Sequence, residues 1–433
     1  MTDLQPVEAL TPHQSERNTV PTSHSPLLDG STFDFACAIF GHLTRADQRR
    51  WAHAYLTSLL HTPGKKSVRR LAASVSESSS AAQSLHQFVN ASPWNWEPAY
   101  RELMRFTERR LVPRAWALDV AIIRKRGEHS CGVHRRFIPD TGRSVNCQVG
   151  IGAFLVTGTD ALPVGWRLLL PRTWTSDPQR RRRARIPEDA APRSLDHHAL
   201  ELVGAMARHT QLARVPVIAD LSEYSGTEVL VRGLGAGGHD FAVTVPRDLR
   251  FVAVRHPGPD RLQAYRPSFK ADWYLCGDGS EGSRVESLTV LDRHGRPLEV
   301  RTALVRLAPP RLPDSSADAT FRVLSVRPMY QRRRTELWLT NMVDRKVDEV
   351  IELTELMSRP TSTIRTMAND LGLLDFEGRS FPGWHHHMTM VSAAYAHARL
   401  SGPDRQLHHA GRPPAQPSEA PARACTHGLP WAE

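Results

Sequence analysis

The sequence predicts a mixed α/β protein with a helical N-terminal domain and a β-rich insertion. Three observations support this fold class. Apolar residues recur at helical spacing across residues 31–112, and short apolar segments rich in β-branched residues begin after that. Those segments alternate with helical ones through residues 113–249 and again through residues 335–401, whereas residues 250–334 are rich in strands and turns.

The composition is that of a globular protein. Hydrophobic residues make up 40% of the 433-residue chain and charged residues 23%, and no apolar run approaches the roughly 18 residues that a membrane span needs. Residues 1–30 and 402–433 lack periodicity and predict disordered tails, the first of them without a signal peptide. Five cysteines without a CxxC pair indicate a reducing cytoplasm rather than a disulfide framework.

The net charge of +11, with a pI near 9.9, indicates a polyanionic partner. Arginine suits such a partner because its planar guanidinium binds phosphate through two hydrogen bonds. The alternative is an arginine-rich composition from a GC-rich genome, which the many Ala and Pro residues also fit. Charge therefore favours nucleic acid as the partner without excluding the compositional explanation.

The N-terminal domain is predicted from three helical stretches. The first, within residues 31–60, carries an apolar stripe formed by Trp51, Tyr55, Leu56, Leu59 and Leu60. The other two stretches cover Ala81–Val89 and Glu97–Leu111. The loops between them are basic, so the domain is either a DNA-binding module or a helical bundle with a solvated basic surface.

Three apolar segments then predict an antiparallel meander: Ala115–Ile123, Val145–Gly158 and Leu162–Pro171. A basic loop (Arg180–Asp189) leads to a helix, a strand, a helix and a strand: Leu195–His209, Arg214–Ser222, Gly226–Leu234 and His239–Pro246. This order is that of the ribonuclease-H-like fold, in which the first and fourth strands lie side by side. Asp119 on the first strand and Asp220 at the end of the fourth could then share divalent metal ions.

The inserted region has two predicted hairpin turns, at Gly277–Gly282 and Asp292–Pro297. The first of these lacks the Lys-Ser/Thr pair and the helix of a phosphate-binding loop. A last strand over Thr335–Met342 and a long helical region follow.

The stretch Leu371–His387 crowds polar residues between two helical segments, which predicts a fixed turn close to a site. Its three consecutive histidines, His385–His387, are poorly arranged as metal ligands because adjacent side chains point in different directions. No i, i+4 histidine pair of the zinc-binding kind occurs, so a zinc hydrolase has no supporting spacing. A structural role or contact with the DNA backbone is favoured for the histidines, a structural ion pair for Glu377 and Arg379, and a core position for Trp384.

Seven motifs occur together in one order: KRGEHSCGVHRRF, VNCQVGIGAFL, PVGWRLLLPRTWTSD, RRRARIPED, VIADLSEYSG, ELWLTNM and LGLLDFEGRSFPGWHHH. With them the chain resembles the bacterial insertion-sequence DDE transposases, in particular the branch named for insertion sequence 701. The resemblance covers roughly residues 40–400. Each motif alone is a weak signal, but seven in register indicate common descent.

The resemblance implies a ribonuclease-H-like catalytic domain with a β insertion and two divalent ions, Mg²⁺ or Mn²⁺, held by an Asp, an Asp and a Glu. It also implies nicking and joining of double-stranded DNA by a cytoplasmic, nucleoid-associated protein that contacts no membrane. A homodimer is one assembly that this reaction allows. The alternative is a catalytically inactive, DNA-binding derivative with a regulatory role.

The acids of this site match the family only in part. Asp220 lies at the second Asp position; the alternative is an ordinary strand-end Asp that caps the next helix. At the first position the family has two adjacent Asp residues, and the second of them is taken as the ligand. Here these are Asp119 and Val120, so Asp119 would need a register shift or a bulge to reach the site.

The third acid of the family falls at Thr361, ten residues before Leu371. The preceding Arg359 remains, whereas the Lys that follows the family Glu by seven residues is replaced by Ala368. Pro360 is expected to interrupt the helix at this point. The sequence therefore predicts a transposase scaffold whose metal site is depleted, with Asp119 and Asp220 as the remaining candidate ligands.

Basic residues supply the candidate contacts with DNA phosphates. They are Arg180, Arg181, Arg182, Arg183, Arg332, Arg333, Arg334 and Arg359. The alternative is that these arginines belong to solvated loops.

Overall fold

The structure is a computed structural model that describes residues 30–138, 142–223, 226–254, 268–276, 285–308, 319–330 and 335–401. Several predicted features lie outside these residues: both predicted tails apart from residue 30, the whole Gly277–Gly282 turn, and Arg332, Arg333 and Arg334. No helix in the described residues is both long and apolar enough to cross a lipid bilayer.

The first described elements are helices: α1 (Gly30–Phe40), α2 (Ala46–His61), α3 (Val68–Ala73), α4 (Ala81–Asn90) and α5 (Glu97–Glu108). Four strands follow: β1 (Ala115–Arg124), β2 (His134–Ile138), β3 (Arg143–Val156) and β4 (Ala161–Leu168). Next come α6 (Arg172–Thr175), α7 (Pro178–Ala184), α8 (Leu195–His209), β5 (Val217–Ala219), α9 (Thr227–Ala236) and β6 (Phe241–Thr244).

The second half begins with strands and one short helix: β7 (Arg250–Ala253), β8 (Ser268–Lys270), α10 (Ala271–Cys276), β9 (Glu286–Leu291), β10 (Pro297–Leu307) and β11 (Phe321–Pro328). It ends with β12 (Glu336–Thr340), α11 (Val347–Glu355), α12 (Ser358–Asp370) and α13 (Phe381–Leu400).

The predicted order of strands is confirmed. β4, β3 and β1 pair in antiparallel fashion, and β1, β5 and β6 are parallel neighbours in that order. This is the strand order of the ribonuclease-H-like fold, and it places the first strand beside the fourth strand of that fold, β5. The short strand β2, which the sequence did not predict, pairs with the first half of β3.

The strands of the β-rich region belong to the same sheet as those of the core. β12 pairs with β6, β11 pairs with β12, and β10 pairs with β11, so the inserted strands extend the same 12-stranded sheet. Without β12, the outer edge of β6 would present unpaired backbone N–H and C=O groups. β12, which follows the insertion in the chain, therefore joins the inserted strands to the core sheet.

β1 separates the two faces of the sheet by strict alternation. Ala117, Ala121 and Ile123 contribute to the core that contains α13, whereas Leu118 and Val120 contribute to the core under α8 and α9. Successive side chains of a strand point to opposite faces, which explains the division. The face on which each β1 residue lies is thereby fixed.

The long helix α13 is buried along almost its whole length, from Gly383 to Ala398. It lies between β4 on one side and α2, α4 and α5 on the other. Its N-terminus is capped by Ser380, whose hydroxyl accepts a hydrogen bond from the backbone N–H of Gly383 at 3.1 Å. The N-terminal helices and the sheet therefore share one continuous core.

Two local predictions were wrong for identifiable reasons. Part of the basic stretch predicted as a loop forms α7, because the Asp177 carboxylate accepts hydrogen bonds from the backbone N–H groups of Gln179 and Arg180. Pro360 does not interrupt α12, because it lies in the first turn, where the backbone N–H has no partner within the helix.

Close packing of α13 on the sheet depends on Gly150. A Cβ atom at this position would lie 2.8 Å from the buried ring of Trp384. We expect Gly150→Ala to lower the free energy of unfolding by about 1–3 kcal/mol, the usual cost of overpacking a core. Urea denaturation monitored by circular dichroism measures this free energy of unfolding.

Gly235→Ala is the matched control, since a Cβ on Gly235 meets nothing within 4 Å and this residue lies in α9. There the same substitution should stabilise the protein by up to about 1 kcal/mol. Equal stability of the Gly150→Ala variant and the wild type would show that the Trp384 ring is not held against β3.

Candidate functional site

The site is built around Asp119, in the middle of β1. Its side chain is fully buried and lies on the same face as Ala117 and Ala121. The carboxylate is held by two hydrogen bonds: Oδ1 accepts from the backbone N–H of Val120 at 2.7 Å, and Oδ2 accepts from the hydroxyl of Thr361 at 2.9 Å. An ionisable group is thus enclosed within a largely apolar strand.

Asp220 directly follows β5, the parallel neighbour of β1. Leu118 pairs with Ala219, so Asp119 and Asp220 are the next residues in the same register. Asp220 is half-buried, and its Oδ1 accepts hydrogen bonds from the hydroxyls of Thr244 at 2.7 Å and Ser222 at 3.4 Å. It does not cap the next helix, because the N-cap residue of α9 is Gly226.

Thr361 joins this pair from the C-terminal part of the chain. It lies near the start of α12, and its Oγ1 is 2.9 Å from Asp119 Oδ2 and 3.3 Å from the carbonyl oxygen of Met357. Asp119, Asp220 and Thr361 therefore lie together, and the family resemblance assigns its second acid to the position of Asp220 and its third to that of Thr361. The sequence did not indicate Thr244 or Ser222; only the pairing of β5 with β6 places them here.

The expected role of Val120 at the first acid position needs correction. The pairing of β1 with β3 runs without interruption from Ala115 to Arg124, so Asp119 faces α12 with neither a bulge nor a register shift. Val120 points to the opposite face and is buried in the core under α8 and α9. Of these two neighbours, Asp119 is therefore the one that lies on the face of Thr361.

Burial raises the pKa of the Asp119 carboxyl to about 7, because removal from water disfavours the charged form. The hydrogen bonds from Val120 and Thr361 act in the opposite direction, and the nearby charge of Asp220 adds to the increase. Asp119 consequently exchanges its proton near neutral pH rather than in acid.

A pair of metal ions does not fit the residues present. In the described part of the chain, no three His, Cys, Asp or Glu side chains are grouped so that they could hold a metal ion. The site offers two carboxylates and a hydroxyl, and both oxygens of the Asp119 carboxylate already accept hydrogen bonds. Mg²⁺ gives up its water reluctantly and is bound through carboxylates, so the missing third acid matters.

The three consecutive histidines lie in the core and not on a DNA-facing surface, which excludes the predicted contact with the DNA backbone. His386 stacks on Trp94 at 3.8 Å between ring centroids, and its two ring nitrogens lie 2.8 Å from the carbonyl oxygens of Val89 and Trp94. The Nε2 of His387 lies 2.9 Å from the carbonyl oxygen of Gly372. Both histidines tie α13 to neighbouring segments.

His385 differs from the other two, because both of its ring nitrogens are buried and have no hydrogen-bond partner among the residues that the structure describes. Its ring stacks on Trp96 at 4.5 Å and meets Trp384 edge-on at 4.9 Å. Burial lowers the pKa of His385 well below its usual value, with Arg167 and His386 adding to the decrease. The core position predicted for Trp384, which is 1% exposed, is confirmed.

The turn before α13 is held by contacts with two other parts of the chain. The backbone N–H of Lys66 donates to Asp375 at 2.7 Å, and the ammonium group of Lys125 donates to the carbonyl oxygen of Phe376 at 2.6 Å. Burial lowers the pKa of Lys125 to about 8. Glu377 pairs with Lys65 at 3.6 Å, so the predicted ion pair of Glu377 with Arg379 is wrong.

The arginines of α7 are divided between structural and exposed positions. Arg181 donates to the carbonyl oxygens of Thr175 and Ala190 at 3.0 and 3.2 Å, and Arg180 forms an ion pair with Asp177 at 3.6 Å. Arg182 and Arg183 are exposed.

Two other arginines near the site make structural contacts. Arg359 donates to the carbonyl oxygen of Gly158 at 2.8 Å. Arg185, which the sequence did not single out, adopts a left-handed backbone conformation with φ 53°. Its guanidinium donates to Ala91 O and to Ser380 Oγ, and thereby holds α7 beside the start of α13.

Comparison with known proteins gives a family match and similarity to solved structures. The family model described as "DDE superfamily endonuclease" matches residues 38–303. Comparison with curated proteins gives no match. A cryo-EM structure of a piggyBac transposase synaptic complex with hairpin DNA is similar over 83% of this chain and 74% of that chain, at 10% identity and a TM-score of 0.38. That similarity is too low to support an argument about function.

The buried His385 should make the protein sensitive to acid. A folded-state pKa below the value of about 6.5 for an unfolded histidine means that its contribution to stability is complete above pH 6.5 and is lost as pH falls. We expect His385→Phe to reduce the loss of stability below pH 6.5 by up to about 1.4 kcal/mol per pH unit. Denaturant unfolding between pH 8 and pH 5 measures the slope.

The exposed His86 provides the control, since His86→Phe should leave the slope unchanged. Identical slopes for the wild type and the His385→Phe variant would show that His385 already binds a proton in the folded protein.

Proposed function

This chain belongs to the family of DDE superfamily endonucleases, and we propose that it acts on double-stranded DNA as a transposase-like protein. One observation carries the proposal: Asp119, Asp220 and Thr361 come from three separate segments and lie together, and the family resemblance assigns its second acid to the position of Asp220 and its third to that of Thr361. A site assembled from distant segments reflects the fold and not a local cluster of charge.

The charge distribution supports DNA as the partner. The chain carries a net charge of +11. The exposed Arg182 and Arg183 lie on α7, which is fixed beside α13 through Arg185 and Ser380. Neutralising phosphates with such side chains releases counterions and favours binding at low salt. Arg180, Arg181 and Arg359, whose side chains contact protein groups, are weaker candidates for phosphate contacts.

Endonucleases of this superfamily generally use divalent metal ions. When bound, such ions activate an attacking oxygen and stabilise the leaving one. The residues of this chain do not fit a pair of ions, so its own contribution is limited to two carboxylates and the hydroxyls that hold them. Asp119 can keep or release a proton near neutral pH, and Asp220 lies at a half-buried position.

Three narrower statements belong to the same proposal. The branch named for insertion sequence 701 rests on the seven sequence motifs. Action on chromosomal DNA in the cytoplasm follows from the proposed substrate. The domain boundaries and the homodimer stay predictions.

DNA binding tests the proposal. We expect the full chain to bind duplex DNA with an affinity that falls steeply as salt rises, and the double variant Arg182→Ala/Arg183→Ala to bind more weakly. Because each phosphate contact contributes about −0.9 to the slope of log K against log salt, the slope should become shallower by up to about 1.8. Fluorescence anisotropy over a salt series measures both quantities.

Arg208→Ala removes an exposed arginine from α8, on the opposite face of the sheet, and should change little. The proposal fails if the wild type binds duplex DNA no better than a neutral protein of similar size, or if Arg208→Ala weakens binding as much as the double variant.

A second candidate function is DNA binding without cleavage. The family match favours an endonuclease, whereas Thr361 in place of the third acid favours this second candidate. Nicking of supercoiled DNA in Mg²⁺ or Mn²⁺ separates the two, with Asp220→Ala as the control. Nicking that Asp220→Ala abolishes would support the endonuclease. Because the site offers only two carboxylates, we expect the wild type to nick DNA at least about tenfold more slowly than Thr361→Glu, or not at all.

A further inference from the structure

Thr361 occupies the position at which the family resemblance implies a glutamate. Its hydroxyl has a single proton, which lies within reach of both Asp119 Oδ2 at 2.9 Å and Met357 O at 3.3 Å. The side chain therefore donates hydrogen to the carboxylate and brings no negative charge. An ionised glutamate at the same place would bring a negative charge and would have no hydrogen to donate.

The Asp119 carboxylate has a hydrogen-bond donor on each oxygen and no exposed surface. Each carboxylate oxygen keeps a second lone pair, but the side chain has no exposed surface, so a metal ion could reach Asp119 only by displacing the Thr361 hydroxyl or by opening the packing around it. Such a displacement would leave the hydroxyl to find another partner at a half-buried position. Both oxygens of the Asp119 carboxylate therefore have hydrogen-bond donors without a metal ion.

The second carboxylate is also bonded to hydroxyls. Asp220 Oδ1 accepts from Thr244 and Ser222, and the backbone N–H of Ser222 donates to the Thr244 hydroxyl at 3.2 Å. Around the two acids, the contacts from Thr361, Thr244 and Ser222 all supply hydrogen. None supplies the additional negative charge that a second cation requires.

We infer that this chain keeps its two carboxylates in a metal-free, hydroxyl-bonded state, and that Thr361 is the residue that prevents a two-ion centre from assembling. Two divalent ions bring four positive charges, against at most two negative charges here. Hard cations compensate for the loss of their hydration only when enough carboxylate oxygens surround them. The inference uses the site of the proposed function but concerns metal binding alone, which can be measured without DNA.

The test measures Mn²⁺ binding to the full chain. Electron paramagnetic resonance reports the concentration of the free ion, and thermal unfolding reports the effect of the ion on Tm. We expect Mn²⁺ not to bind the wild type saturably, and to raise its Tm no more than it raises the Tm of Asp119→Asn. In Thr361→Glu we expect saturable binding, at least about tenfold tighter than any in the wild type, and a Tm that increases with Mn²⁺ concentration. Thr361→Gln, of similar length but uncharged, should behave like the wild type.

Two outcomes would overturn the inference. Saturable Mn²⁺ binding to the wild type that is lost in Asp119→Asn would show that the carboxylates already hold an ion. A folded Thr361→Glu variant without any gain in binding would show that Thr361 is not what excludes the metal. If that variant does not fold, the comparison of the wild type with Asp119→Asn still decides the first question. Failure of DNA binding together with the expected Mn²⁺ results would remove only the proposed function.

Discussion

The structure depends on the burial of α13 from all sides. A helix enclosed between a sheet and a helical bundle cannot leave a polar side chain to water, so its polar groups need partners inside the protein. His386 and His387 meet this requirement through carbonyl groups of other segments, and Trp384 fits against Gly150. The N-terminal helices are thereby joined to the sheet through one core, although the sequence presents them as a separate domain.

This enclosure also positions the candidate site. α12 precedes α13 along the chain and is held at the sheet by the turn that contains Asp375 and Phe376. Thr361, on α12, consequently reaches Asp119 across the face of β1. The site is fixed by helix packing at some distance from it, so its geometry is a property of the whole fold rather than of the local sequence.

Burial of Asp119 is the second constraint. A carboxyl group placed among small apolar residues of a central strand costs free energy unless it is neutral or well hydrogen-bonded. Here both compensations operate, since the pKa is raised toward neutrality and each oxygen has a donor. The family resemblance implies metal ions as the compensating charge at this place. In this chain we infer that hydrogen bonds from hydroxyl groups provide this compensation instead.

Local periodicity encoded much of the fold. The helix predicted over Leu195–His209 has those bounds in the structure, and the first-to-fourth strand pairing follows from the order of elements. The bounds of the helix depend on near neighbours in the chain, and the strand pairing was predicted from the order of the elements, so the sequence alone indicated both, together with Asp119 and Asp220 as candidate acids. The face on which Asp119 lies, the joining of the inserted strands to β6 and the burial of His385–His387 were decided only by the tertiary structure. The reason is physical: each depends on which distant segment covers a given edge or face, and no local pattern records that choice.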